Sequence, residues 1–464
     1  MNNKKGGLSM RIWITILIFM LMGSIANGVE SMFIGLYLNN TVFKHGSMGA
    51  PLTLTDTINL ISSLSAVVMG VTTFVVGTIS EKMKNRKLFI SVGYILWGIV
   101  MLVFSFIRGG NIGRYFGLTE MSDIIFTTAM LVIIFSLILT LLRATTNNTS
   151  FNAWVTDVST PQTSAIIETC FTLIGFVATA VITYLVTKAQ SDEGDYSDVF
   201  RFLGMVAILV GALGFVLFEK PKQLKNLKKK KEKEEQIGWK DVFYGFRPSV
   251  IKKNSNLYLI LSSGCLFNCA YQVFYPYLFI YLASVVIPAN KNIETHPLKI
   301  LSLIVIALII AVVSIILLMK IYAKNKSIPF ISSVLCFVTG LLILSSTKNI
   351  MGIIIGLTPG LIGYAIIMIQ FGATVRDNIP KDKVGLFQGI RMIFLVFLPK
   401  IIGPTLGNIA AKNSDVVYIE NGAEKVLPTE AMFLYAAIVA ALIFIPMLAF
   451  LKKDKEKALK ESNK

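Results

Sequence analysis

Apolar runs of about 20 residues, each long enough to cross the hydrocarbon core of a bilayer, recur along this chain. Short polar or Gly/Pro-rich breaks separate them. Read this way, the sequence predicts twelve helical spans near 12–38, 57–79, 88–107, 124–152, 165–187, 201–218, 256–284, 299–319, 328–346, 350–371, 386–410 and 431–451. They are numbered one to twelve below. The pattern predicts an all-α membrane protein.

Composition agrees. Hydrophobic residues make up 54% of the 464 and charged residues 15%, with a mean hydropathy of +0.70. A soluble chain of this length needs far more charge on its surface. The formal net charge of +18 invites a nucleic-acid reading, but its distribution points elsewhere. Of the 44 Lys and Arg, 31 fall in the tails and even-numbered loops, 10 in odd-numbered loops and three (Arg143, Arg391, Lys400) within spans. The positive-inside rule then places both termini in the cytoplasm. The acidic stretches "SDEGDYSD" (191–198) and 415–424 fall on the opposite side. Residues 12–38 are too long for a cleaved signal peptide and lack its cleavage pattern, so span one is expected to be retained.

The longest connection begins "KPKQLKNLKKKKEKEEQ" and continues "IGWKDVFYGFRPSV". The first piece reads as a solvated tether beside anionic headgroups. The second, with Trp239, Phe243 and Phe246 at helical spacing, reads as an interfacial segment. Neither reads as a nucleic-acid contact. Predicted domains are therefore 1–218, an N-terminal six-helix bundle, a basic linker at 219–253, and 254–464, a C-terminal bundle with a basic tail.

Chemistry is sparse. Cys170, Cys265, Cys269 and Cys336 all fall in apolar segments, with no C-x-x-C and no disulfide frame. Cys265 and Cys269 share a helix face, where small residues pack between helices. The two histidines, His45 and His296, lie in predicted loops. The sequence offers no nucleophile with a base, no metal cluster and no P-loop, so neither an enzyme, a cofactor nor direct ATP drive is expected.

Six spans, a basic connector and six more spans suggest duplication. "KNRKLFIS" (84–91) closes the loop after span two and "KNKSIPFIS" (324–332) the loop after span eight. Asp157 precedes Glu168 by eleven residues with Pro161 between; Asp377 precedes Gln388 by eleven with Pro380 between. Two matches in one register mark the halves as parallel repeats.

"GTISEKMKNRK" (77–87) resembles the loop 2–3 signature of the major facilitator superfamily, with Glu81 where an aspartate is usual. "FNAWVTDVS", "GFRPSVIKKNSNLY", "QVFYPYLFIYL" and "VRDNIPKDKVGLFQGIRM…GP" together resemble bacterial glycoside–pentoside–hexuronide cation symporters. The resemblance implies two pseudo-symmetric six-helix bundles, alternating access and a solute site near the midplane. It also implies coupling to Na⁺ or H⁺ through acids on helices one, two and four. This chain departs from that pattern. Span two has no carboxylate inside the membrane, Asp56 standing at its outer mouth, and Asn148 occupies the position matching the helix-four acid. A neutral amide hydrogen-bonds a hydroxyl but does not neutralise a cation, so H⁺ is favoured over Na⁺.

Charges within a membrane are costly and face a cavity or a partner. On span four, Arg143, Asn147, Ser150 and Trp154 share a face, with Asn148 and Asn152 on a neighbouring stripe; they bind a solute's hydroxyls or glue helices. Span one puts Ser24, Asn27, Glu30 and Ser31 on roughly one face. Glu30 reads as a protonatable coupling group, or as one half of an ion pair with Lys400 or another cation. In span seven Asn268, Gln272 and Tyr275 recur at i, i+4 and i+7 beside Tyr271, with Pro276 breaking the helix; amides with aromatic faces suit a sugar. Gln370 is a further lining candidate. Tyr277 and Tyr281 read as interface anchors. Glu81, Arg86, Asp157, Arg376, Asp377 and Arg391 read as gate residues.

The expectation is a monomeric secondary transporter of a bacterial plasma membrane, surrounded by lipid, carrying a small solute (a sugar or glycoside) with a cation. An amphiphile, drug or lysolipid carrier, and more remotely a non-transporting sensor, are the alternatives.

Overall fold

The computed structural model describes residues 8–83, 86–158, 161–191, 196–218, 247–290, 313, 327–379, 387, 390–414, 417–420 and 423–462. Among these, ten helices are long and apolar enough to cross a membrane. Span five forms a further helix, Pro161–Ser191, opened by a proline at its first position. Span eight, most of the linker, and Trp239, Phe243 and Phe246 lie outside the described residues. The contacts divide the chain into two compact units, Met1–Glu235 with Ile419–Lys425, and Gln236–Tyr418 with Val426–Lys464.

In the first unit, span one runs from Met10 to Val42, further than its apolar run. Ser9 opens it, its hydroxyl accepting from Ile12 N at 3.4 Å. The polar far end stays helical because its amides find partners: Asn39 Nδ2 donates to Asn40 Oδ1 at 2.7 Å, and Asn40 Nδ2 to the Tyr196 hydroxyl. Span two is Leu54–Met83. Asp56 belongs to its capping box, accepting from Thr53 N at 3.3 Å while Asp56 N donates to Thr53 Oγ1 at 3.2 Å.

Span three (Arg86–Phe104) lies against span six (Tyr196–Leu217). A Cβ on Gly204 would stand 2.8 Å from Gly98 O, so the backbones approach as only small residues allow. Arg11, at the start of span one, donates to the carbonyls of Val216 and Leu217, satisfying the end of span six. A short helix not expected from the apolar pattern, Gly109–Phe116, occupies the connection between spans three and four. It ends at Gly117 with φ +64°.

In the second unit, span seven is Ser255–Phe274, then a 3₁₀ turn at Tyr275–Tyr277 about Pro276. Spans nine (Ser327–Ser345) and ten (Ile350–Asn378) pack through Gly340, Gly356 and Gly363. Span eleven contains Leu398–Lys412 and span twelve starts at Ala431. The connection between them holds a two-stranded hairpin, Val417–Glu420 with Ala423–Val426, of which Ile419–Lys425 group with the first unit. Tyr277 and Tyr281 are not at an interface. Both are buried, because Tyr277 Oη donates to Pro404 O at 2.9 Å and Tyr281 packs on Phe433.

Candidate functional site

Span one and span four each depart from α geometry where their polar residues lie. Span one becomes π-helical at Val29–Phe33, which contains Glu30; span four becomes π-helical at Ala144–Phe151, directly after Arg143. Such one-turn expansions re-aim side chains and concentrate at functional positions. Thr146 and Thr149 add to the distortion by donating to the carbonyls of Leu142 and Ala144.

Here Glu30 and Arg143 meet. Arg143 Nε donates to Glu30 Oε1 at 2.8 Å, with the two side chains only 5% and 9% exposed. Glu30 Oε2 accepts from Thr140 Oγ1 at 2.9 Å, and Thr140 Oγ1 lies 3.1 Å from Ser65 Oγ on span two. One hydroxyl carries one proton. Thr140 therefore donates to Glu30 Oε2 or to Ser65 Oγ, and its hydroxyl on span four stands between an acceptor on span one and one on span two. The guanidinium's Nη groups have no protein partner among the described residues.

The remaining span-four residues are placed as follows. Asn147 packs on Gly23 of span one, where any Cβ would strike its amide. Asn147 Oδ1, Ser150 Oγ and Trp154 Nε1 are buried without a hydrogen-bond partner among the described residues, which is uncommon for buried polar atoms. Asn148 is half-buried and its carbonyl accepts from Asn152 Nδ2 at 3.3 Å. Asn27 is exposed, and Ser31 donates to its carbonyl.

Two of the expected gate residues pair with each other. Arg86 Nη1 lies 2.6 Å from Asp157 Oδ2, tying the start of span three to the end of span four. The side chains of Glu81, Arg376 and Asp377 lie outside the described residues. Arg391 and Lys400 are half-buried on span eleven, on either side of a π-helical turn at Ile393–Phe397.

In the second unit Tyr271 stacks on Tyr275 with ring centroids 4.6 Å apart and also meets Tyr364 of span ten at 5.1 Å. Asn268 turns back on its own helix, donating to Gly264 O at 2.8 Å, while Gln272 sits over Gly403 of span eleven. Gln370 is fully buried, and among the described residues neither of its amide atoms nor the Thr374 hydroxyl one turn on has a hydrogen-bond partner. It lies two turns beyond Gly363, on the face turned to span nine.

Three participants escaped the sequence reading. Thr140 stands three residues before Arg143 on the same face, a spacing that would have found it. Ser65 is one of several hydroxyls in span two, and Tyr364 is a single tyrosine in an apolar run; nothing in the sequence singles out either.

Solved structures that share the fold include two transporters. The nucleoside transporter NupG is 14% identical, with a TM-score of 0.61 over 96% of this chain and 99% of that one. A bacterial homolog of the human lysosomal transporter Spinster, inward-facing and unoccupied, is 11% identical with a TM-score of 0.62 over 96% and 99%. No curated protein matches the chain in sequence. Residues 12–404 match the Major Facilitator Superfamily; the chain belongs to that superfamily, and is a multi-pass membrane transporter of the two-bundle, twelve-helix fold rather than an enzyme.

Proposed function

We propose that this transporter is a secondary carrier that works by alternating access and takes up a sugar or glycoside together with a proton. One observation carries the reading: the buried Glu30–Arg143 pair, bonded through Thr140 to Ser65. A carboxylate held by one arginine and one hydroxyl has an alternative state, protonated and neutral, in which the guanidinium is released. Release frees the Nε donor beside the two Nη groups, so that protonation and hydroxyl binding are linked at one residue. Na⁺ is a poorer fit, because the Arg143 cation stands against Glu30 and repels a second positive charge.

The solute class rests on the chemistry of the side chains. Arg143, Asn147, Asn148 and Asn27 in the first unit, and Asn268, Gln272, Tyr271 and Tyr275 in the second, offer amide and guanidinium donors with aromatic faces. That combination matches a ring with polar edges and apolar C–H faces. Nucleosides present similar hydroxyls, and one structural neighbour is a nucleoside transporter. Arg86 with Asp157, and Glu81, Arg376, Asp377 and Arg391, serve as gate contacts, and Lys400 as a further charge in the coupling cycle. The test is uptake of labelled glycosides, nucleosides and lysolipids into vesicles under imposed H⁺ or Na⁺ gradients. Proton-driven uptake of a glycoside supports the reading. Uptake confined to lysolipids, or driven by Na⁺ alone, overturns it.

A further inference from the structure

The solute and proton groups leave one pair of reactive side chains unused. Cys265 and Cys269 stand one turn apart on the regular α-helical part of span seven, Ser255–Phe274, well before the 3₁₀ turn. Both are free thiols, Cys265 half-buried and Cys269 buried. At i, i+4 the two Cβ atoms stand about 5–6 Å apart. Asn268, between them in sequence, is turned away onto Gly264 O. Neither sulfur is held by a hydrogen bond among the described residues.

Small residues at both positions suit close helix packing; two thiols at i, i+4 also present both sulfurs on one face. Two sulfurs on one face of a rigid helix form a bidentate soft donor set, which prefers thiophilic centres to hard cations such as Mg²⁺ or Ca²⁺. A linear disulfide is disfavoured here: Cα atoms four apart on an intact helix stand about 6 Å apart, and the Cβ vectors run side by side rather than toward each other. A centre that bridges two parallel thiols does not need them to turn.

We propose that Cys265 and Cys269 form an intramembrane dithiol site for a soft, thiophilic centre of the trivalent arsenical class. The reaction balances without an oxidant. Phenylarsine oxide, C₆H₅AsO, meets two S–H groups; two As–S bonds form, the As=O bond breaks, and the two thiol protons leave with the oxygen as water. The probe is neutral and apolar, so it reaches thiols within a membrane span. The site is independent of which solute or ion the carrier moves.

The experiment uses the full-length purified protein in detergent micelles, treated with phenylarsine oxide and read by intact-protein mass. The expected result is one phenylarsenic group per chain that survives excess 2-mercaptoethanol, a monothiol, and is removed by 2,3-dimercaptopropanol. Cys265→Ser and Cys269→Ser should each lose that adduct, whereas the double variant Cys170→Ser/Cys336→Ser keeps it. The double variant guards against serine variants that merely misfold. No resistant adduct on the wild-type chain, its loss in the double variant, or its persistence in both single variants would each overturn the proposal.

Discussion

Arg143 Nε and Glu30 Oε1 are 2.8 Å apart although 113 positions separate them in the chain. Read from the sequence, Glu30 lies toward one end of span one and Arg143 toward the opposite face of the membrane. They meet because side chains on a helix lean toward its N-terminus. Spans one and four run in opposite directions, so the two side chains lean toward each other, and the π-helical turns at both positions complete the approach.

A buried ion pair is weak evidence for net stability, but breaking one is costly. Arg143→Gln should lower the unfolding free energy by about 3–5 kcal/mol, because Glu30 is left buried and charged. The double variant Glu30→Gln/Arg143→Gln should recover most of that loss. Thermal unfolding of the three proteins in one detergent gives the coupling. Additive losses would show that the pair is not an energetic unit.

Thr140→Val removes the hydroxyl that donates to Glu30 while keeping the side-chain shape. A hydrogen bond to a charged group contributes about 1.5–3 kcal/mol. The expected effect is a fall of roughly tenfold in proton-driven uptake, with solute exchange retained. Ser65→Ala should have the same effect to a smaller degree. Proton-driven uptake equal to wild type would remove Thr140 from the coupling machinery.

The Arg86–Asp157 pair is partly exposed at 19% and 23%, so its contribution to stability is about 1 kcal/mol or less. Asp157→Asn should therefore leave the melting temperature nearly unchanged while altering the transport rate, if the contact opens and closes during the cycle. The charge exchange Arg86→Asp/Asp157→Arg should restore part of the rate. A rate indifferent to both changes would reduce the pair to a surface contact.

Gly407 tests the packing that supports span seven. A Cβ there would run into Val273 O and stand 2.6 Å from the Tyr277 ring. Gly407→Leu should destabilise the second unit by about 1–3 kcal/mol through overpacking and lower the yield of folded protein. Unchanged melting would mean that spans seven and eleven separate more easily than this packing implies.

The sequence displays most of the fold and only part of the site. Runs of apolar residues mark where helices lie, because the membrane requires them, and every described span overlaps its predicted range. The ends were harder. Span one continues through Asn39 and Asn40 because Asn39 donates to its neighbour and Asn40 to Tyr196 of span six, and no local pattern records the second of these. Tyr277 and Tyr281 look like interface aromatics in sequence; burial by Pro404 and Phe433, more than 120 residues on, overrides that reading. Polar residues within spans stand out, so Glu30, Arg143 and the span-four amides were visible as unusual. Their partnership was not, since it depends on π-helical turns and on the opposed lean of two antiparallel helices. Thr140 is marked only by its i, i+3 spacing to Arg143, and Ser65 is one hydroxyl among several in span two, with nothing in the sequence to single it out.

The most direct test of the central claim compares wild type and Glu30→Gln in proteoliposomes charged with the transported solute. Accumulation is driven by an imposed pH gradient, and solute exchange is followed with no gradient. The account expects the variant to lose proton-driven accumulation at least tenfold while retaining exchange. Accumulation by the Glu30→Gln protein equal to wild type would contradict it.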